Sequence, residues 1–430
     1  NNTFDGQGHT VSNWTYTGKA DDMGFIRNWV GPIKNLTIKN AILKTGGRSA
    51  VIVAKPYGNI ENCHVVDCNL QANYWACGLI VGMHNSGNIK DCSATNSYIK
   101  STGGTGAITG VLNETDGTRT FTNCTVTGCT INCTNDNAAK PWYAGGAIVG
   151  LVNLDYSTIE FNGCQTSDNI FIGQFSKDSY YGYSFSPVKI NGVYAVSTAD
   201  ELNAAIKAGA EKIMLVKGSY TIPSSAQGKT LHLVGIGDAE DIDITVSNEN
   251  GSYEGCNYNL SGSTVTFENI SINTPSTTYI GYAGCKGTYK NCIINGAYWL
   301  YDNSSFEKCT LNISGDNYNI WTWSAPSATF TNCTFNTDGK SVLLYGAANT
   351  ELTINNCVFN DNGGLVDEQK AAIEVGDDYG SSYELIVNNT VVNGFAINNK
   401  GINTGTTLWG NKNSMPQERL NVVVDGVDVY

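Results

Sequence analysis

Charge is scarce in this chain. Only 15% of its 430 residues are Asp, Glu, Lys or Arg, and only four are His. Four are Arg, of which Arg419 alone lies beyond residue 190. No Cys-x-x-Cys pair occurs, which with so few His argues against a zinc site. No apolar run approaches the ~20 residues of a membrane-spanning helix, and no signal peptide is visible. The sequence opens inside a repeat phrase, so a signal or anchor is expected to lie outside it. Helical periodicity is nearly absent. A helical bundle, a membrane bundle and a metal-stapled domain are all disfavoured.

A short phrase recurs instead: apolar, any residue, Asn, Cys, any residue, apolar. It reads Ile60-Glu61-Asn62-Cys63-His64-Val65, Phe121-Thr122-Asn123-Cys124-Thr125-Val126 and Tyr289-Lys290-Asn291-Cys292-Ile293-Ile294. It returns at Phe330–Phe335 and Ile354–Phe359, with degenerate copies centred on Leu36, Cys92, Cys164, Ile270, Cys309 and Asn389. The centres are 27, 29, 32 and 40 residues apart in the first half and 22, 17, 24, 24 and 32 in the second. Units this short, rich in Val, Ile, Thr and aromatics, suit single turns of a parallel β-helix, each burying its apolar face on the next. Apolar residues at i, i+3 and i+5 cannot share one face of a straight strand. A corner at Asn, which tolerates left-handed backbone, restores the parity. Asn is therefore read as the corner and Cys as inward-facing, each stacking on its own kind ~4.8 Å away. The expected fold is all-β: a right-handed parallel β-helix, two in tandem, with one short capping α-helix.

The fourteen Cys follow from this stacking. Parallel, stacked Cβ vectors are poor geometry for bridging, so reduced, buried thiols are expected. The pairs Cys63/Cys68, Cys124/Cys129 and Cys129/Cys133 are the places to look for an exception.

A second phrase marks the first half: Gly78-Leu79-Ile80-Val81-Gly82, Gly106-Ala107-Ile108-Thr109-Gly110, Gly146-Ala147-Ile148-Val149-Gly150, and weakly Ser49–Val53. Paired glycines around an apolar tripeptide read as a short buried strand between tight turns. With Phe4-Asp5-Gly6-Gln7-Gly8-His9-Thr10 upstream, residues 1–175 resemble bacterial GLUG-motif proteins. That resemblance implies β-helical repeats of a surface or secreted adhesin. Residues 176–190 lose the pattern and read as a junction. Thr198 and Glu201 then form a capping box, Leu202, Ala205 and Ile206 an apolar face, and Gly209 a stop, giving a helix over 198–208 that would cover an open β-helix end. This helix and the coils after it make residues 191–430 resemble the pectin lyase-like superfamily, a match of fold that does not fix function.

Charge divides the halves. Residues 1–190 hold 13 basic and 13 acidic residues; residues 191–430 hold 12 and 25, the whole net charge of −13. Nucleic acid is disfavoured as a partner.

Members of the pectin lyase-like superfamily often cut acidic polysaccharides. Asn336-Thr337-Asp338-Gly339 is similar to the first catalytic block of polygalacturonases. The rest of that set is missing: the next Asp pair, Asp377-Asp378, comes 39 residues after Asp338, no His follows His232, and no Arg-x-Lys exists. The block therefore reads as a turn. A uronate lyase needs cations against the carboxylate, and these are lacking. Calcium on Asp241/Asp243, Asp361/Asn362 or Asp377/Asp378 would be the substitute, although exposed turns are the simpler reading. For hydrolysis, the weak catalytic candidates are Glu374, Asp377 and Asp378.

Aromatics offer a binding site instead. Aligning coils on Cys gives one column of Trp299, Trp321, Leu343, Ile373 and Ile397, and another of Tyr301, Trp323, Tyr345, Val375 and Asn399. Between them run Leu300, Thr322, Leu344, Glu374 and Asn398. Since that middle column holds Glu and Asn, the aromatics are expected to point inward; facing outward, they would form a strip suited to sugar rings. Trp75 and Trp142, beside Tyr74 and Tyr143, make a similar pair in the first half, as a second strip or as coil packing. The function expected is a non-catalytic, extracellular or cell-surface adhesin that binds a glycan or a surface protein, as a monomer without a cofactor. A carbohydrate-active enzyme is the alternative, and a structural spacer the third reading.

Overall fold

A computed structural model describes residues 2–113, 117–153, 158–176, 178–248, 255–363, 371–376, 379–395, 404–411 and 415–430. The chain divides into two compact units, Asn1–Ala195 and Val196–Tyr430. Each is a parallel β-helix.

In unit 1 the corner phrase builds one face. Strands Phe4–Ser12, Ile33–Lys39 and Ile60–Val66 pair in parallel, Ile33 on Ile60 and Ile38 on Val65. The corner residues Asn35, Asn62, Asp91 and Asn123 hold φ between 48° and 56°, the left-handed backbone that the parity argument requires. Leu36, Cys63, Cys92 and Cys124 follow these corners on successive coils, Cys164 follows Gly163 at φ 64°, and all five are buried. Strands Thr15–Thr17 through Ile170–Ile172 form the second face.

The glycine phrase does something other than expected. Leu79 and Ile80 are not strand. They bend between strands Trp75–Gly78 and Val81–His84, and Ala107-Ile108 and Ala147-Ile148 repeat the bend. The glycines let these two strand stacks lie backbone to backbone. A Cβ on Gly78 would come 2.0 Å from the Val81 carbonyl oxygen, and one on Gly110 2.4 Å from the Cys77 nitrogen. Period-two reasoning missed this because close approach, and not alternation, selects glycine there. Coils also continue past Cys164: Tyr181–Ser184 stacks on Val149–Val152, and Val188–Ile190 on Ile159–Asn162.

Unit 2 begins with helix α1 (Ala199–Lys207). Thr198 caps it, its hydroxyl accepting from the Glu201 N–H at 3.2 Å. The Glu201 carboxylate reaches back one residue further than a standard capping box, to the Ser197 N–H at 2.7 Å. Leu202, Ala205 and Ile206 are buried. The helix lies over the turn Ser224–Ala226 of the first coil, where Ser225 donates to Asn203. Three parallel faces follow, all built from one alternation: Phe267, Tyr289, Phe306 and Phe330 stack inside with ring centroids 5.2, 4.4 and 4.4 Å apart. The last coil is closed by an antiparallel turn-back of Leu420–Val424 on Val427–Asp428, across Asp425-Gly426, both at positive φ.

All fourteen Cys are free and all but Cys256 are buried. Burial pushes the Cys77 and Cys285 thiols up to about 12 and that of Cys129 to about 11.

Candidate functional site

The third face of unit 2 carries the aromatic columns, and its register decides which way they point. Tyr298 pairs with Ile320 and Ile320 with Val342; Trp299 pairs with Trp321 and Trp321 with Leu343. Tyr298, Leu300, Ile320, Thr322, Val342 and Leu344 are at most 2% exposed. These fill the inside. Trp299, Tyr301, Trp321, Trp323 and Tyr345 therefore lie on the outer surface, half-buried against one another. The expectation of an inward stack is corrected, and so is the alignment beneath it. Ile373 pairs with Val342, which puts Glu374 beside Leu343 in the tryptophan column. The long connection between Leu344 and Ile373 shifts the count by one, and with period two one residue reverses the face. Ile397, Asn398 and Asn399 lie outside the described residues; Trp409–Asn411 supplies the next rung.

The outer rings form one connected strip of seven. Trp299 meets Trp321 edge-on at 4.9 Å and stacks with Trp323 at 5.1 Å and 19°. Trp321 reaches Tyr345 at 5.7 Å and donates its indole N–H to the Tyr345 carbonyl at 2.5 Å. Tyr301 lies 5.8 Å from Trp299 and donates to the Gly255 carbonyl at 2.6 Å. Two members went unseen in the sequence. Tyr279 stacks on Trp299 at 6.0 Å and meets Trp321 edge-on at 4.8 Å. Tyr379, 52% exposed, meets Trp323 at 5.3 Å and Tyr345 at 5.6 Å. Neither falls in a column counted from Cys, so no periodic signal marked them.

Backbone shape seats the strip. Gly255, at φ 91°, leaves room for Trp299: a Cβ there would lie 2.6 Å from the indole ring. Gly255 also lines a cleft of 480 Å³ with Thr245, Val246, Asn273, Pro275 and Thr278. Thr278 is chain neighbour to Tyr279, so cleft and strip adjoin. The Tyr279 hydroxyl accepts from the Tyr318 N–H at 2.9 Å, and burial, with the carboxylates of Asp316 and Glu374, raises its pKa. Lys340, 8% exposed, pairs with Asp316 beside the Tyr318 ring.

The carboxylate candidates lie apart from this arrangement or inside it. Glu374 has no exposed surface. Asp377 and Asp378 lie outside the described residues. Asp338 caps a turn by accepting from the Gly315 N–H at 2.8 Å, with Gly339 at φ 95°. Asp241 pairs with Lys217 at 2.7 Å, Asp243 accepts from Asn273 at 3.1 Å, and Asp361 accepts from the Gly363 N–H. Among the described residues no group of three or more His, Cys, Asp or Glu is placed to hold a metal ion. Two clefts of 320 and 490 Å³ on another face share Glu240 and are also lined by Asp243 and Asp238, with no aromatic among their lining residues. The carboxylates of these two clefts thus lie on a different face from the aromatic strip, whereas Glu374 sits within the strip's own column.

In unit 1, Trp75 and Trp142 both touch Tyr143, at 5.6 and 6.3 Å. Gly103 stands in register with Trp75, and a Cβ there would lie 2.5 Å from that of Tyr143, so the glycine lets the rings meet. With Tyr183 they cover a cluster of Ala76, Met83, Val111 and Leu151.

No family model matches the chain, and no curated protein matches it. Among solved structures, an arginine-to-alanine mutant of the PL6 family alginate lyase AlyGC is 10% identical over 98% of this chain and 97% of its own, with a TM-score of 0.31. A likeness at this level carries nothing about residues or activity.

Proposed function

We propose that the chain is a non-catalytic, surface-exposed adhesin whose second unit binds glycans. The outward strip of seven aromatic rings, running beside a 480 Å³ cleft, carries this reading. Sugar rings bury apolar C–H faces on indole and phenol while their hydroxyls stay wet, and clefts with a few polar groups hold such ligands. The surplus of 25 acidic over 12 basic residues in 191–430 favours neutral or amine-bearing glycans over uronates.

The enzyme alternative is less well supported. A general acid must reach its substrate, and Glu374 is sealed from solvent. A glycan array, followed by reducing-end and unsaturated-product assays on each hit, tests the proposal. Binding without turnover, weakened at least tenfold (about 1.4 kcal/mol) by Trp323→Ala, is the expected result. Turnover abolished by Glu374→Gln would replace the adhesin with an enzyme.

A further inference from the structure

Acidic side chains line one margin of the aromatic strip. The Tyr279 hydroxyl, which accepts from the Tyr318 N–H, ties the strip to segment 314–317. That segment carries Asp316, and the next coil brings Asp338 to it, accepting from the Gly315 N–H at 2.8 Å. On the coil after that, Asp361 pairs with Thr337, the chain neighbour of Asp338. Carboxylates therefore stand on three successive coils at the turns that lead into the strip's face. At the far side Asp302 follows Tyr301 directly.

Positive charge is nearly absent from the same stretch. Between Cys309 and Gly363 the chain holds four acidic residues, Asp316, Asp338, Glu351 and Asp361, and one basic residue, Lys340. Lys340 is 8% exposed and already committed to Asp316, whose carboxylate and backbone carbonyl both accept from it. The Asp316 side chain nevertheless stays 61% exposed, so its carboxylate can take a second cation. Burial first, and then the charges of Asp316 and Glu374, raise the pKa of Tyr279, so the negative field reaches the rings themselves.

Two attractions converge on this surface. Indole and phenol faces take the apolar side of a sugar ring, and they also draw cations through the ring quadrupole. The carboxylates draw positive charge and repel a uronate. A neutral sugar uses the rings alone, whereas a sugar with a free amino group uses rings and carboxylates together. Resting on the reading of the strip as a glycan site, we infer that its ligand is an amine-bearing glycan. Its ring faces lie on Trp299, Trp321 and Trp323, and its ammonium groups turn toward Asp316.

Titration calorimetry on the full chain tests this with three oligomers of equal length: β-linked glucosamine with free amines, its N-acetylated form, and a uronate. At about pH 6 the amines are protonated. The free-amine oligomer should bind at least tenfold tighter than the N-acetylated one, and the uronate should bind least. Raising the salt to about 0.5 M should close most of the gap, because exposed charges are screened. Trp323→Ala should weaken the free-amine and N-acetylated oligomers alike, whereas Asp316→Asn should weaken the free-amine oligomer alone. Asp316→Asn also removes the partner of Lys340, so its far-ultraviolet spectrum is compared with that of the parent; the oligomer and salt comparisons need no variant.

Equal binding of the free-amine and N-acetylated oligomers, lost on Trp323→Ala, would overturn the amine preference and leave the glycan site standing. Free-amine binding that ignores Trp323→Ala would be attraction to an acidic surface and would overturn it too, as would a preference unmoved by salt. If none of the three binds while the array finds another glycan, the inference alone is lost. If no glycan binds at all, the strip's role as a glycan site is lost with it.

Discussion

Asn336 donates its side-chain amide to Oδ1 of Asn312 at 3.0 Å, and Asn312 does the same to Asn295 at 3.0 Å. The chain of amides extends to Asn360 and Asn393 on one side and to Asn273 on the other, ending on Asp243. An ionised Asp only accepts. Asp243 therefore fixes the direction: Asn273 must turn its NH2 toward it, which leaves the Asn273 oxygen for Asn295, and so along the face.

Replacing Asn312 with Ala removes two of these bonds and leaves Asn295 Oδ1 and the Asn336 amide without their ladder partner. The positions are half-buried, so water replaces part of the loss, and a destabilisation of about 1–2 kcal/mol is expected in denaturant unfolding. Asn312→Leu should cost no less despite its larger apolar side chain. If either variant is as stable as the parent, the ladder contributes nothing.

Gly255→Ala should disturb the strip without touching an aromatic residue. The new Cβ meets the Trp299 ring at 2.6 Å, and φ of 91° disfavours any side chain. Displacement of Trp299 should change the tryptophan emission and weaken binding of whatever glycan the array identifies by about tenfold. An unchanged spectrum with unchanged affinity would show that Trp299 is not held in the position described.

How far the sequence reached is visible in the Cys and the Trp residues together. Asn62, Asn123, Asn291, Asn332 and Asn356 were readable as corners because one local conformation, positive φ, selects one residue type at every coil. Cys63 and its column followed at once. The Asn ladder was also legible, as an Asn three residues after Cys292, Cys309, Cys333 and Cys357, yet only the corner column was read. The face of Trp299 and Trp321 was misread for a different reason. Which side of a strand is inside depends on register, and the register was carried across a 30-residue interval by counting from Leu343 to Ile373, where a slip of one reverses the answer. Tyr279 reaches the strip from a connecting segment, and nothing periodic points to it.

The buried thiols should be inert in the folded protein. Cys77 and Cys285 sit near 12 and Cys129 near 11, so almost no thiolate exists on these three at neutral pH, and attack needs the thiolate. Cys63 and Cys164, which hydrogen bonds with the neighbouring thiols Cys92 and Cys124 hold below the usual range, are shielded by burial. Titration of the native chain should react with Cys256, the one half-exposed thiol, and little else. Denaturation should release the rest. More than two or three fast thiols in the native state would contradict the inward stacking.

Helix α1 should be worth more than its length suggests. Leu202 is 0% exposed over the first coil of unit 2, and Leu202→Asp places an unpaired charge there. A loss of roughly 2–4 kcal/mol is expected, seen as a lower midpoint in urea. Asp200→Ala, at an exposed site in the same helix, is the control and should fall within about 0.5 kcal/mol of the parent.

Stability of unit 1 should fall in mild acid because of one buried imidazole. His84 is 1% exposed, its Nε2 faces the Gly58 carbonyl at 3.1 Å, and burial together with the Arg119 guanidinium lowers its pKa from 6.5 to about 4. The folded form therefore holds His84 neutral where the unfolded chain would protonate it. Between pH 6.5 and 4 the unfolded state binds more protons, so stability rises with pH there and is lost as pH falls through that window. Full stability is present above about pH 6.5, and below about pH 4 both states are protonated and the loss stops growing. A shift of this size corresponds to about 3 kcal/mol across the window. His84→Gln, which keeps an N–H for the Gly58 carbonyl but cannot protonate, should flatten this part of the profile. Urea midpoints of the parent and of His84→Gln, measured at steps from pH 7 to pH 4, check it: parallel pH profiles for the two would mean that His84 does not carry the acid sensitivity.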